Sequence, residues 1–516
     1  MKRLVFLTLF ELVFLSIQAQ ISSSYLERYE LIGRNLLMNC DITAFKESFG
    51  TKIYHTTFDS ISNTALITLW QHPGAGIVKN SNYNSKVVYY DLEKQKIKWE
   101  RSSNLNDDIL DKMGSYIFFK DNNCSYLLDP ETGKNRFKLG KNLDVLLYYV
   151  KDGWVLCATY NNLLGKGGSL QKINLSNNEL IWKKDADLDY GLKMHGYLND
   201  SIALFVGAGL RGVNLNTGSM WSYVVNTDKS DYLSYKTQLF VGVYSDVKIE
   251  DSAALYFAGG DKIVKLRNDG SVIWENELVP AEMSKSILKT TKDYLVLVNH
   301  GFSYGSSYLS VMGKPFFSVY DKLDGTLRCN VDCQMYSEFI IDAYCDEDFL
   351  YLIFQDTHLR QMIGKFRLSD GKLVARHVPT GDFKSRGILF KFIGPDVYAR
   401  QDTILVQLQS IDSTGLYVSN FTGVIYLDKR FGKAQFFENE KLYFFKTEHE
   451  GLRFFSHDGK IVAVDAKDRD VATLDFDEIF VTESELYSTK DDALYIINKS
   501  QIPFVKEETI IIQDRQ

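Results

Sequence analysis

The chain has 516 residues, a formal charge of −7 and 24% charged residues. With 45% apolar and 14% aromatic residues, it does not have the composition of a disordered chain. No basic stripe stands out; Lys94, Lys96 and Lys98 alternate as one solvated strand face, so nucleic acid is not an expected partner.

Met1–Gln20 has a basic start (Lys2, Arg3), an apolar run and a small residue, Ala19, before Gln20. This is secretory signal-peptide anatomy. Glu11 interrupts the apolar run, which is also short for a membrane span, so no transmembrane span is expected in the mature chain. Export to a periplasmic, cell-envelope or extracellular site is expected, with a mature end near Gln20. N-terminal mass spectrometry of the native protein checks this, and a soluble cytosolic pool retaining Met1 contradicts it. Within Ser22–Asn39, Ser24-Tyr-Leu-Glu27 reads as a capping box, and Leu26, Tyr29, Ile32 and Leu36 recur at helical spacing. A short helix is expected there.

From Ile53 onward the pattern is that of strands. Ala65–Trp70 reads as a buried strand, followed by a long loop over 71–85. A hairpin then recurs: an outgoing strand, a polar turn and a return strand ending on a bulky residue. In Leu170–Lys183 the turn spans Asn174 to Asn178 and the return strand ends at Trp182. Asn side chains bond nearby backbone and tolerate left-handed geometry, which suits such a turn. Asp91 leads to Trp99, Asp129-Pro-Glu-Thr-Gly133 to Phe137, Asn214-Leu-Asn-Thr-Gly218 to Trp221, and Arg267-Asn-Asp-Gly270 to Trp274. The spacing is eight residues in the first two cases and seven in the last two. Later copies keep the turn and lose the Trp, giving anchors at Cys329, Ala375, Phe436 and Thr473. Successive anchors lie 37 to 61 residues apart, which fits four-stranded propeller blades with loop insertions. One small sheet cannot bury both its faces, so each unit must stack on the next, and the repeated bulky residue is expected to fill the seam. The last stretch, Leu494–Phe504 and Thr509–Ile512, is placed to pair with an early strand and close the ring.

The hairpin series resembles the PQQ-like, or quinoprotein-alcohol-dehydrogenase-like, β-propeller repeat. Asp129-Pro-Glu-Thr-Gly133 and Asn214-Leu-Asn-Thr-Gly218 look like its turn, and Trp99, Trp182, Trp221 and Trp274 look like its Trp. The resemblance implies an all-β propeller of about eight four-stranded blades, seven to nine being compatible. The expected organisation is a signal peptide over 1–19, a helical lead-in over 20–50 and the propeller over 51–516. Quinone-binding dehydrogenases of the family carry an adjacent Cys-Cys pair. This chain has none, so no PQQ and no other cofactor is expected.

The cysteines are Cys40, Cys124, Cys157, Cys329, Cys333 and Cys345. Their spacing is not a disulfide framework. Burial as small apolar residues, or one bridge within Cys329/Cys333/Cys345, is expected over a thiolate metal site, because no supporting His or second Cys-x-x-Cys is near. Asp185-Ala-Asp-Leu-Asp189 alternates acids but lacks the Gly and Glu of a calcium loop. Gly165-Lys-Gly-Gly168 precedes a strand and not a phosphate-binding helix. No catalytic or metal residue is assigned, and activity as an enzyme is not expected.

The expectation for function is a binding or scaffold module for a protein partner or envelope complex; the alternative is an enzyme acting on a glycan or small molecule in the central funnel. The repeat is stretched between Trp274 and Cys329, with the surplus in Asn299–Pro315. Tyr among small polar neighbours suits recognition surfaces. His300, Tyr304 and Tyr308 are therefore the candidate partner contacts; an extra hairpin is the alternative for this segment.

Overall fold

The computed structural model describes residues 28–503 apart from 70–84, 104–108, 114–115, 122–123, 142, 150–152, 161–167, 187–192, 208, 225–244, 252–253, 305–308, 380–390, 393–395, 402, 409–413 and 420–422. The described residues are strands and turns, with three single-turn 3-10 helices. Eight discrete four-stranded antiparallel sheets follow one another along the chain. We number them 1 (53–103), 2 (109–141), 3 (143–185), 4 (193–224), 5 (248–277), 6 (286–332), 7 (339–377) and 8 (391–438). A ninth sheet has eleven strands. It contains one four-stranded layer over 442–474, and a second over 480–498 whose fourth strand is Cys40–Ser48 from the start of the chain.

Period-two alternation turns these sheets into a stack. In the strand Thr64–Leu69, Leu66 packs with Ile117, Phe119 and Leu128 of sheet 2. Its neighbours Ala65, Ile67 and Leu69 face the other way, onto Tyr487, Leu494 and Ile496 of the last layer. Successive side chains of a strand point to opposite faces, so one strand serves two seams. The same pattern joins sheet 3 to 4 through Ala158, Leu170, Phe205 and Val213, and sheet 6 to 7 through Val298, Phe317, Leu352 and Phe366. Each sheet thus packs on its successor, and the last layer packs on sheet 1. The chain is a β-propeller.

Closure is made by both ends of the chain. Phe45–Ser48 pairs with Ala493–Ile496. Gln501 then donates its amide to the Thr43 carbonyl and accepts from the Thr43 N–H, each at 2.9 Å. The stretch expected to be a helical lead-in is therefore β from Tyr29 onward: Tyr29–Asn35 pairs with Cys40–Ser48 on one side and with Ala472–Leu474 on the other. The helical spacing of Ile32 and Leu36 is overridden because this strand satisfies two open edges, with Ile32 buried and Leu36 exposed. Residues 20–27 and Thr509–Ile512 lie outside the described residues.

The seam code is local. The anchors 99, 137, 182, 221, 274, 329 and 375 all lie on the outer strand, opposite the residue two before the turn's first residue. From there Trp99 Nε1 donates to Pro130 O at 3.0 Å, Trp182 Nε1 to Leu215 O at 3.2 Å and Trp274 Nε1 to Lys322 O at 3.2 Å. Each acceptor is the second residue of the next sheet's turn. The turn glycine lies under the same indole. A Cβ on Gly218, whose φ is +72°, would stand 2.8 Å from the Trp182 ring. Phe436 and Thr473 sit one residue out of this register, opposite Ile425 and Val462, so Phe436 packs back toward Ile353 and Ile363 of sheet 7.

Trp221 departs from the code. In sheets 1, 3 and 5 the pairing shifts by a residue just before the Trp, whereas in sheet 4 Gly212↔Trp221 and Val213↔Met220 run without a shift. The indole then lies over Gly212, where a Cβ would be 2.3 Å from Nε1. Its N–H is buried with no partner among the described residues. The Gly218-to-Trp221 interval, three residues where Gly270 to Trp274 is four, is the sequence trace of this missing bulge.

Candidate functional site

Strand direction sorts the connections onto two faces. In a four-stranded meander, the link between the second and third strands emerges on the same face as the link to the next sheet. The described connections on that face are 278–285, 333–338 and 356–360, and the described strands on either side of 70–84, 161–167, 187–192, 225–244 and 380–390 end toward it. The opposite face carries tight turns such as 92–95, 175–179, 215–219 and 322–326, with 393–414 as its one long insertion between described strands. Within that insertion the hairpin Val397–Gln401/Ile404–Gln407 pairs with the first strand of the 442–474 layer.

Sheet 6 carries the longest described strands, which extend toward the long-loop face. Its middle strands, Tyr294–Tyr304 and Leu309–Asp321, run on past the sheet as one hairpin. The segment expected to hold a recognition loop is thus the extra hairpin. Gly301 and Gly313 have φ of +81° and +61°, a geometry that favours glycine, and they bend the hairpin at its base. A Cβ on Gly313 would stand 2.2 Å from Glu282 O. Asn299, fully buried, ties the base down by donating to Glu282 O (3.0 Å) and Lys314 O (2.7 Å) and accepting from Ser284 N (2.9 Å).

His300 is not a rim contact. It is 5% exposed, and its Nδ1 lies 2.6 Å from Ile340 O of sheet 7. A carbonyl only accepts, so Nδ1 carries the proton. Phe302, 2% exposed, packs beside it edge-on to Phe339. His300 and Phe302 therefore brace the hairpin on the next sheet. Tyr304 lies on the strand beyond this brace, and Tyr308 falls outside the described residues.

Burial pushes the His300 imidazole down to about 4 from an ordinary 6.5, with the Ile340 carbonyl opposing the drop. The unfolded chain binds a proton here below about pH 6.5, while the folded chain resists it until about pH 4. Stability is therefore present above pH 6.5 and is lost as pH falls through this window, by on the order of 3 kcal/mol. Urea titrations at pH 7 and pH 4.5 should show the parent losing more stability than His300→Gln. Equal losses contradict the buried neutral imidazole.

The tight-turn face holds polar clusters that the sequence did not single out. Glu250 accepts from Tyr256 Oη (2.8 Å) and pairs with Lys265 (3.0 Å) and Lys322 (2.6 Å). Burial raises its pKa, but these donors outweigh burial and hold the carboxyl below its ordinary range. Asp346, Tyr351, Lys365 and Lys429 repeat the arrangement between sheets 7 and 8. In both, a lysine on the third strand donates to the second carbonyl of the next turn, as the indoles do. These groups are consumed in joining sheets. The six cysteines are free thiols, so the bridge within Cys329/Cys333/Cys345 does not form. Burial raises Cys329 to about 11 and Cys345 to about 12, leaving them poor nucleophiles. Among the described residues, no three His, Cys, Asp or Glu side chains are placed to hold a metal ion.

No protein-family model matches the chain, and no curated protein matches it. Solved propellers are similar at the level of shape. The WD40 domain of SCAP from fission yeast is 8% identical, covering 88% of this chain and 98% of that one, with a TM-score of 0.29. The Myceliophteria thermophila Cps50 (Swd1) β-propeller domain is 9% identical, covering 76% and 98%, with a TM-score of 0.25. At such scores the fold stands on the sheet order described above.

Proposed function

We propose that the protein is an exported, cofactor-free propeller of the PQQ-like repeat type that binds a protein partner on its long-loop face. The observation that supports this most is the segregation of connections. Apart from 393–414, the tight-turn face is committed to holding sheets together, while the described strands send the other long connections toward the opposite face. Recognition in repeat folds falls to such connections. The braced hairpin of sheet 6 gives that face a rigid projection, which lowers the ordering cost of docking.

The test shortens the hairpin without touching its brace. Replacing residues 304–309 by Asn-Gly leaves His300, Phe302 and both bend glycines in place. Crosslinking and pull-down from the native envelope fraction should lose the partners captured by the parent, with melting nearly unchanged. Leu323→Lys, on the tight-turn face where Leu323 is 84% exposed, should capture them normally. Undiminished capture by the shortened hairpin, or loss in the Leu323 variant alone, removes this face from consideration.

A further inference from the structure

A cleft of about 440 Å³ opens where the ring closes, between the strand Ile53–Asp59 of sheet 1 and the 480–498 layer. Such a volume falls within the range of ligand pockets, about 300–1,000 Å³. Its apolar side is built by Phe58 and Phe480, stacked at 4.8 Å and 8°, with Ile53 and Ile479. The innermost strand of this layer is only Phe480–Val481, so the longer strand Glu485–Lys490 beside it lacks an inner neighbour toward its end. That shortfall makes the opening. The cleft therefore lies on the axis side of the ring, at the long-loop face.

Three features define what would fit. Tyr54 offers exposed aromatic surface at 65%, beside His55. Thr56 lines the same cleft; its Oγ1 is buried out of reach of solvent and, among the described residues, has no hydrogen-bond partner, so turning it toward a ligand breaks no bond and relieves a condition that costs free energy. The charges balance: Lys490 and Asp491 share the rim, and Glu478 pairs with Lys446 at 2.6 Å. An anion or a cation would meet no net complement here. A purely apolar ligand would leave the Thr56 hydroxyl unsatisfied. A ring with an apolar face and hydroxyls at its edge satisfies both kinds of surface.

We infer that this cleft binds the end of a neutral saccharide, with one sugar face against aromatic surface and the ring hydroxyls meeting Thr56, Thr489 and Asp491. The inference does not rest on the docking of a protein partner, and either can fail alone. The test titrates the full mature chain with neutral tetrasaccharides of glucose, galactose, mannose, xylose and N-acetylglucosamine, followed by calorimetry and ligand-observed NMR. At least one should bind saturably at one site. Tyr54→Ala and the isosteric Thr56→Val should each weaken it by about tenfold or more, with circular dichroism and melting as in the parent. Failure of every sugar to bind, or affinity unmoved by both substitutions, overturns the proposal.

Discussion

Replacing Trp274 with Ala is expected to cost about 3–5 kcal/mol, the range for truncating a well-buried Trp. Trp274 is 8% exposed, lies between Tyr256 and Tyr320 at 6.0 and 6.3 Å, and covers Gly325 of the next sheet. Trp182 and Trp221 are less deeply covered, so the same change there should cost less. The Phe substitutions separate packing from hydrogen bonding. Trp274→Phe also removes the bond to Lys322 O, which keeps only its Lys265 donor, a net loss of about 1 kcal/mol beyond the smaller ring. Trp221→Phe removes a buried donor that has no partner, so its loss should be smaller by about that amount or more. Guanidinium unfolding of the four variants reads this directly. If Trp221→Phe is as damaging as Trp274→Phe, the missing bond in sheet 4 is not real.

Removing residues 1–48 should be more damaging than any single substitution. The deletion takes away Tyr29–Asn35 and Cys40–Ser48, and with them Ile32, Ile42 and Ala44 from the largest buried cluster. It also strips the partner from the strand Ala493–Asn498, leaving an open edge that invites association between chains. The truncated chain should form oligomers and melt well below the parent. A synthetic peptide covering residues 29–49 should restore the monomer by filling the vacant edge. A truncated chain that stays monomeric and melts like the parent would show that the ring does not need its first strands.

Much of the architecture was legible because it is written in short-range chemistry. The turn residues and the bulky residue after them fix a hairpin, and the hairpin fixes which face meets the next sheet. That reasoning located the anchors from Trp99 to Ala375 on the outer strands. It failed by one residue at Phe436 and Thr473, whose turns carry their positive-φ residue in fourth place, Phe431 and Asp468, as the Arg267 turn does with Gly270, so the register runs one residue shorter. The opening strands were misread because one partner of each lies more than 400 residues away, as in Gly33 to Leu474 and Phe45 to Ile496. Local spacing carries no information about such a partner. His300 failed for a related reason: its surroundings in sequence are Gly and Ser, while its acceptor, Ile340 O, belongs to another sheet. The cleft at the closing seam left no sequence signal, since it arises from a strand that stops after Val481.

The indole-to-turn bonds also have a thermodynamic reading. In sheets 1, 3 and 5 the outer Trp is satisfied only when the turn of the following sheet is in place, so each of these sheets is coupled to its successor. An array coupled in this way opens first where one coupling is weakest. The boundary between sheets 4 and 5 has the indole of Trp221 in position without its bond, and the longest interval between consecutive described strands, 225–247, falls there. Partial unfolding should therefore begin there, and the propeller's resting ensemble should include a minor, gapped member split at that boundary.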